Sequence, residues 1–82
     1  MMRNLILSLI LSLPLGLLQA QNDQFVKANE AYASKDFEKA IALYEELIAG
    51  EIHSASLYYN LANAHYQQGA LAPAILNYER AC

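Results

Sequence analysis

Residues 25–48 read FVKANEAYASKDFEKAIALYEELI, and residues 59–82 read YNLANAHYQQGALAPAILNYERAC. Laid on each other without a gap, they pair Ala28-Asn29 with Ala62-Asn63, Tyr32 with Tyr66, Ala40-Ile41 with Ala74-Ile75, and Tyr44-Glu45 with Tyr78-Glu79. That is seven identities in 24 pairs at a constant offset of 34 residues. Self-similarity at a fixed period of about 20–50 residues marks a stacked array, in which each unit buries its apolar face only against its neighbours. Such a period predicts a protein that binds other proteins rather than an enzyme.

Outward from the repeat, the spacing of apolar residues predicts four helices. Phe25, Ala28, Ala31 and Tyr32 recur at three- and four-residue intervals, giving a helix over Asp23–Ser34 with Asn22 or Asp23 as its cap. Ser34-Lys35-Asp36 forms the turn, and Asp36 caps a second helix over Phe37–Ala49 whose stripe is Phe37, Ala40, Ile41, Tyr44, Leu47 and Ile48. Gly50 is expected to end that helix in the left-handed conformation. Beyond a loop through Ile52 and His53, Ser54 or Ser56 caps a third helix over Ala55–Gln68, which Gly69 stops. The fourth starts near Leu71, with Pro73 in its first turn, where a missing N–H is harmless. Alternating β-branched runs are absent and there is no threonine, so the predicted class is all-α.

The recurring small residues carry the packing argument. Ala28, Ala40, Ala62 and Ala74 fall where two antiparallel helices come closest, while Tyr44 and Tyr78 fill space one turn further on. Helix propensity alone favours alanine. It does not explain why the same small/large order returns after 34 residues.

The N-terminus has a different character. A basic start, Met1-Met2-Arg3-Asn4, precedes Leu5–Leu18, 14 residues without a charge, and Leu18-Gln19-Ala20 ends in a small residue. Positive start, apolar stretch and small residue at the cut describe a secretory signal peptide, here residues 1–20 with cleavage after Ala20. A membrane span needs about 20 apolar residues, and Pro14 and Gly16 interrupt this stretch. An uncleaved anchor is the competing reading. Residues 21–54 then form the first repeat unit and residues 55–82 the second, cut short by a few residues.

Charge and chemistry narrow the function. From Gln21 onward eight acids face only Lys27, Lys35, Lys39 and Arg80, a net charge of −4, so nucleic acid and anionic lipid are poor partners. A single cysteine, Cys82, excludes an internal disulfide; it reads as a small buried helix residue or, alternatively, as a reactive or intermolecular thiol. His53 and His65 are twelve apart without Cys or acidic partners at ligand spacing, so no metal or other cofactor is expected. His65 occupies a packing position and reads as a hydrogen-bonded core histidine. Glu45 and Glu46 point about 100° apart and read as a solvated face. No nucleophile motif, carboxylate pair or phosphate loop is present, and the protein is expected not to be an enzyme.

The residues resemble the tetratricopeptide repeat family. Tyr58, Leu61, Ala62 and His65, followed by Ala74, Tyr78 and Ala81, match its pattern except that His65 stands where tyrosine is usual. The earlier unit is looser: Ala28, Ala40 and Tyr44 fit, Gln24 and Lys27 are polar where apolar residues are usual, and Ile52 replaces the closing proline. A first unit departs this way when its outer face meets water. A signal peptide followed at once by such repeats is similar to the exported tetratricopeptide proteins of bacterial aerotolerance operons, in which an SH3-like domain follows the repeats.

That resemblance implies two tandem helical hairpins and a concave surface for a partner protein or peptide, lined by the first helix of each unit. Carried over by position, the surface consists of Phe25, Asn29 and Tyr32, then Tyr59, Asn60, Asn63 and Tyr66. Asparagine amides both donate and accept, and so pair with peptide backbone of any sequence. Tyrosines add rigid apolar area with a polar tip. Phe25 and Tyr59 stand where a carboxylate clamp would need basic groups, so a C-terminal carboxylate is a poor ligand.

The expected role is an exported interaction scaffold of the bacterial periplasm or cell envelope, touching membrane only through export or a further segment. Its rivals are the extracytoplasmic sensor segment of a longer signalling protein, and accessory repeats of an enzyme whose catalytic domain lies beyond Cys82. Ile75, Tyr78 and Cys82 are expected to face a missing neighbour, leaving the isolated piece marginally folded or self-associating.

Overall fold

The computed structural model describes residues 15–82. Four helices follow one another: α1 over Leu15–Ala33, α2 over Phe37–Ala49, α3 over Ala55–Gln67 and α4 over Leu71–Ala81. No strand occurs among the described residues, and the chain is all-α as its spacing predicts. Helices α1 and α2 pack as one pair and α3 and α4 as another; α3 joins the pairs by packing on α2 and, more lightly, on α1.

Three of the helix boundaries follow the sequence closely. Asp36 accepts from Lys39 N at 3.3 Å at the start of α2, and Ser54, not Ser56, accepts from Leu57 N at 3.1 Å at the start of α3. Gly69 follows α3 at φ 76, the left-handed conformation that glycine adopts without steric penalty.

Two boundaries differ. Helix α1 begins at Leu15 and runs through both expected caps, so Asn22 and Asp23 lie inside it. Leu15-Gly16-Leu17-Leu18-Gln19-Ala20-Gln21 has no proline to break the ladder, and from Gln19 onward each N–H has a helical carbonyl four residues back. The first fourteen residues of the expected signal peptide lie outside the described residues, and its last six belong to α1. At the end of α2, Gly50 keeps φ −81, and Glu51 takes the left-handed conformation at φ 65.

The hydrogen bonds explain the second difference. Glu51 N donates to Ile48 O at 2.9 Å and Ile52 N to Leu47 O at 3.0 Å, which closes a Schellman motif centred one residue after Gly50. The turn after α1 closes identically, Lys35 N to Tyr32 O and Asp36 N to Ala31 O, with Lys35 at φ 65. After α3 the bonds are Gly69 N to Tyr66 O and Ala70 N to His65 O. The first and third turns therefore repeat bond for bond at the 34-residue offset of the sequence.

Ala28, Ala40 and Ala62 are fully buried and Ala74 nearly so, which puts a small side chain at each place where paired helices approach. Around them Tyr44, Leu47, Leu57 and Leu61 form the core, with Phe25, Tyr32, Ile41, Ile48 and Ile52 packed against it. Removing a side chain such as that of Leu57, which has no exposed surface, costs about 2–5 kcal/mol in a core of this kind. The outer side of α1 is polar as expected: Lys27 is exposed, while Gln24 spans to α2, donating to Leu43 O at 3.1 Å and Glu46 Oε2 at 3.0 Å.

Candidate binding surface

Each helix pair carries the same polar bond. The Tyr44 hydroxyl on α2 donates to Asn29 Oδ1 on α1, and the Tyr78 hydroxyl on α4 donates to Asn63 Oδ1 on α3. An aromatic ring leans edge-on against each tyrosine: Phe25 on Tyr44 at 6.0 Å and 65°, Tyr59 on Tyr78 at 5.7 Å and 63°. The cause is local. One turn separates Phe25 from Asn29 and Tyr59 from Asn63, so both members of each set reach one tyrosine of the following helix.

Asn60 ties the pairs together, its Nδ2 donating to Asn29 Oδ1 at 3.2 Å. Asn29 Oδ1 thus accepts twice, from Tyr44 and from Asn60, while Asn63 Oδ1 accepts from Tyr78 alone among the described residues. No hydrogen bond of the described residues uses the Nδ2 of Asn29 or Asn63. Both amides keep donors available on a half-buried surface.

The predicted residues gather into two adjoining depressions that share Asn60. One, of about 180 Å³, is lined by Asn29, Tyr32, Tyr44, Asn60 and Asn63. The other, a wider groove of about 590 Å³, is lined by Phe25, Tyr59, Asn60 and Tyr78, with Ala55, Ser56, Ala81 and Cys82 at its edges. Tyr66 lines neither; it stands 58% exposed on α3. Tyr32 leans on Phe37 at 5.3 Å, which ties it to α2.

Sequence reasoning assigned Tyr44 and Tyr78 to filling space, and missed that their hydroxyls serve the two asparagines. The signal was present: Asn29 with Tyr44 and Asn63 with Tyr78 are among the few identities retained between the units. Burial holds the Tyr44 hydroxyl above the usual tyrosine range, helped by nearby Tyr32 and opposed by the Asn60 amide. The Tyr78 hydroxyl is also raised, by burial and then by Tyr59, Tyr32 and Tyr66. Both therefore stay protonated, and so remain donors, at neutral pH.

The histidines are placed apart from this surface. His53 Nδ1 lies 2.6 Å from the Tyr58 hydroxyl, their rings stacked at 17°. His65, on the packing face of α3, has its Nε2 3.8 Å from Glu45 Oε1, beyond hydrogen-bond distance, so the expected core hydrogen bond is not made there. Cys82 lines the groove and is exposed rather than buried, and among the described residues α4 packs on α3 alone.

No protein-family model matches the chain, and neither the curated proteins nor the solved structures give a match.

Proposed function

We propose that this protein is a non-catalytic docking scaffold of the tetratricopeptide type, exported to the bacterial cell envelope, that holds a partner peptide or protein along α1 and α3. The observation that carries the reading is the repeated Asn–Tyr bond. In each pair it fixes the asparagine oxygen inward and leaves the amide N–H groups free beside a tyrosine or phenylalanine ring.

Such a surface suits a peptide backbone. Pre-oriented amides donate to successive carbonyls at little entropic cost, because their rotamers are already locked. Tyr59 and Tyr66, 54% and 58% exposed, offer aromatic area of the sort that dominates recognition interfaces. The acidic balance of the chain favours a partner with basic or neutral segments over nucleic acid.

The test uses the complete protein isolated from its own cells. Tyr59→Ala with Tyr66→Ala should remove the co-purifying partner while helicity by circular dichroism is unchanged; undiminished capture by the folded double variant contradicts the reading. Export is checked separately by mass spectrometry of the same preparation, where a chain beginning at Gln21 supports cleavage and an intact N-terminus at Met1 opposes it.

A further inference from the structure

The expected cleavage falls inside α1, between Ala20 and Gln21. Gly16, Gln19 and Ala20 are exposed, and among the described residues the core takes nothing before Phe25. The first side chain tied to another helix is that of Gln24, which holds α2 through Leu43 O at 3.1 Å and Glu46 Oε2 at 3.0 Å. Between the cut and that anchor stand only Gln21, half-buried, and Asn22 and Asp23, both exposed. None of the side-chain hydrogen bonds among the described residues uses Gln21.

Cleavage there makes Gln21 an N-terminal glutamine, with its side-chain amide within reach of its own α-amine. We propose that Gln21 is a modification site that closes to a pyroglutamate lactam once the leader is removed. This chemistry rests on the export reading given above, with the cut after Ala20. The neutral α-amine attacks its own Cδ: the N–Cδ bond forms, the Cδ–Nε2 bond breaks, and Nε2 leaves as ammonia with the proton that the amine gives up. Nothing is oxidised or reduced, and no further reactant is consumed. An α-amine titrates at about 7.7–8.0, so about a tenth of it is the neutral nucleophile at pH 7. A cut one residue to either side would not serve, because Ala20 has no amide and the side chain of Asn22 is too short to close the ring.

The product suits its place in the fold. A free ammonium at Gln21 would sit at the positive end of the shortened α1, where the unpaired N–H groups of the first turn already point. The lactam removes that terminal charge and leaves Asp23 as the charge of the first turn, the sign the helix dipole favours there. It also leaves no amine for an aminopeptidase to engage. Trimming from an open end would reach the Gln24 anchor after three residues, and next Phe25, which lines the groove.

The test uses the mature protein recovered from the envelope of cells that make the full chain. Its intact mass should be that of a chain from Gln21 less one ammonia, and Edman degradation should give no sequence. Treatment with pyroglutamyl peptidase should then open a read of Asn22-Asp23-Gln24. Gln21→Ala, cut at the same bond, should read from position 21 without that treatment; a block that persists in this variant contradicts the lactam. A chain that begins at Gln21 with a free amine overturns the proposal and leaves cleavage after Ala20 standing. A chain that begins elsewhere overturns both. Neither result bears on the surface of α1 and α3.

Discussion

The Tyr44 hydroxyl on α2 donates to Asn29 Oδ1 on α1, and Asn60 of α3 donates to the same oxygen. One acceptor therefore ties three helices together, and its residue lines the smaller of the two depressions. The equivalent oxygen of Asn63 has only Tyr78. This asymmetry makes the two tyrosines unequal.

Tyr44→Phe should destabilise the protein by about 1–2 kcal/mol and Tyr78→Phe by about 0.5–1 kcal/mol. Tyr44 is 1% exposed, so the lost bond is not replaced by water, whereas Tyr78 is only half-buried. Urea unfolding of the two variants side by side measures the order.

Lys35 at φ 65 and Gly69 at φ 76 hold equivalent positions in the first and third turns. Lys35→Gly should stabilise by about 0.5–1 kcal/mol, since a left-handed non-glycine residue carries a steric penalty that glycine lacks. Gly69→Ala should destabilise by about 1 kcal/mol although an added Cβ meets nothing within 4 Å, the strain being entirely in the backbone. Thermal melts showing opposite signs for the two changes meet this expectation.

Asn77 is 4% exposed, its Nδ2 bonded to Pro73 O at 2.8 Å and its Oδ1 without a partner. Leucine stands at the corresponding place in the first pair, Leu43. Asn77→Leu should therefore stabilise by about 1 kcal/mol by removing a buried unsatisfied acceptor. Chemical denaturation gives the sign.

Raised tyrosine pKa values in the folded state mean that the native protein holds its phenolic protons after the unfolded chain has begun to lose them. The stabilisation is thus complete below the unfolded tyrosine value of about 10 and is lost as pH rises through the higher folded value. Unfolding free energy measured from pH 8 upward should be level and then fall above about pH 10. Tyr44→Phe should flatten that fall.

Much of this was legible from residue spacing. The four helices, the caps at Asp36 and Ser54, the turn glycine Gly69 and the buried alanines follow from apolar periodicity and local hydrogen-bond chemistry, which act within a few residues. The start of α1 was hidden because leader-like leucines and glutamines are also good helix formers, and sequence gives no sign of where such a ladder stops. The left-handed residue after α2 was misplaced by one because Gly50 and Glu51 both border the last turn, and the Leu47–Ile52 bond that selects Glu51 depends on packing. In the groove, the asparagines were visible as repeats, but the tyrosines that orient them come from the neighbouring helices. The contact spans 15 residues and no local rule reports it.

The account rests on the surface formed by α1 and α3 being the place where a partner lies. A photo-crosslinking amino acid placed at Tyr59 or Tyr66 in the living cell, with Glu38 on the opposite side of α2 as control, tests this most directly. The account predicts one discrete adduct from positions 59 and 66 and none from 38. Equal labelling from all three positions, or adducts from 38 alone, would contradict it.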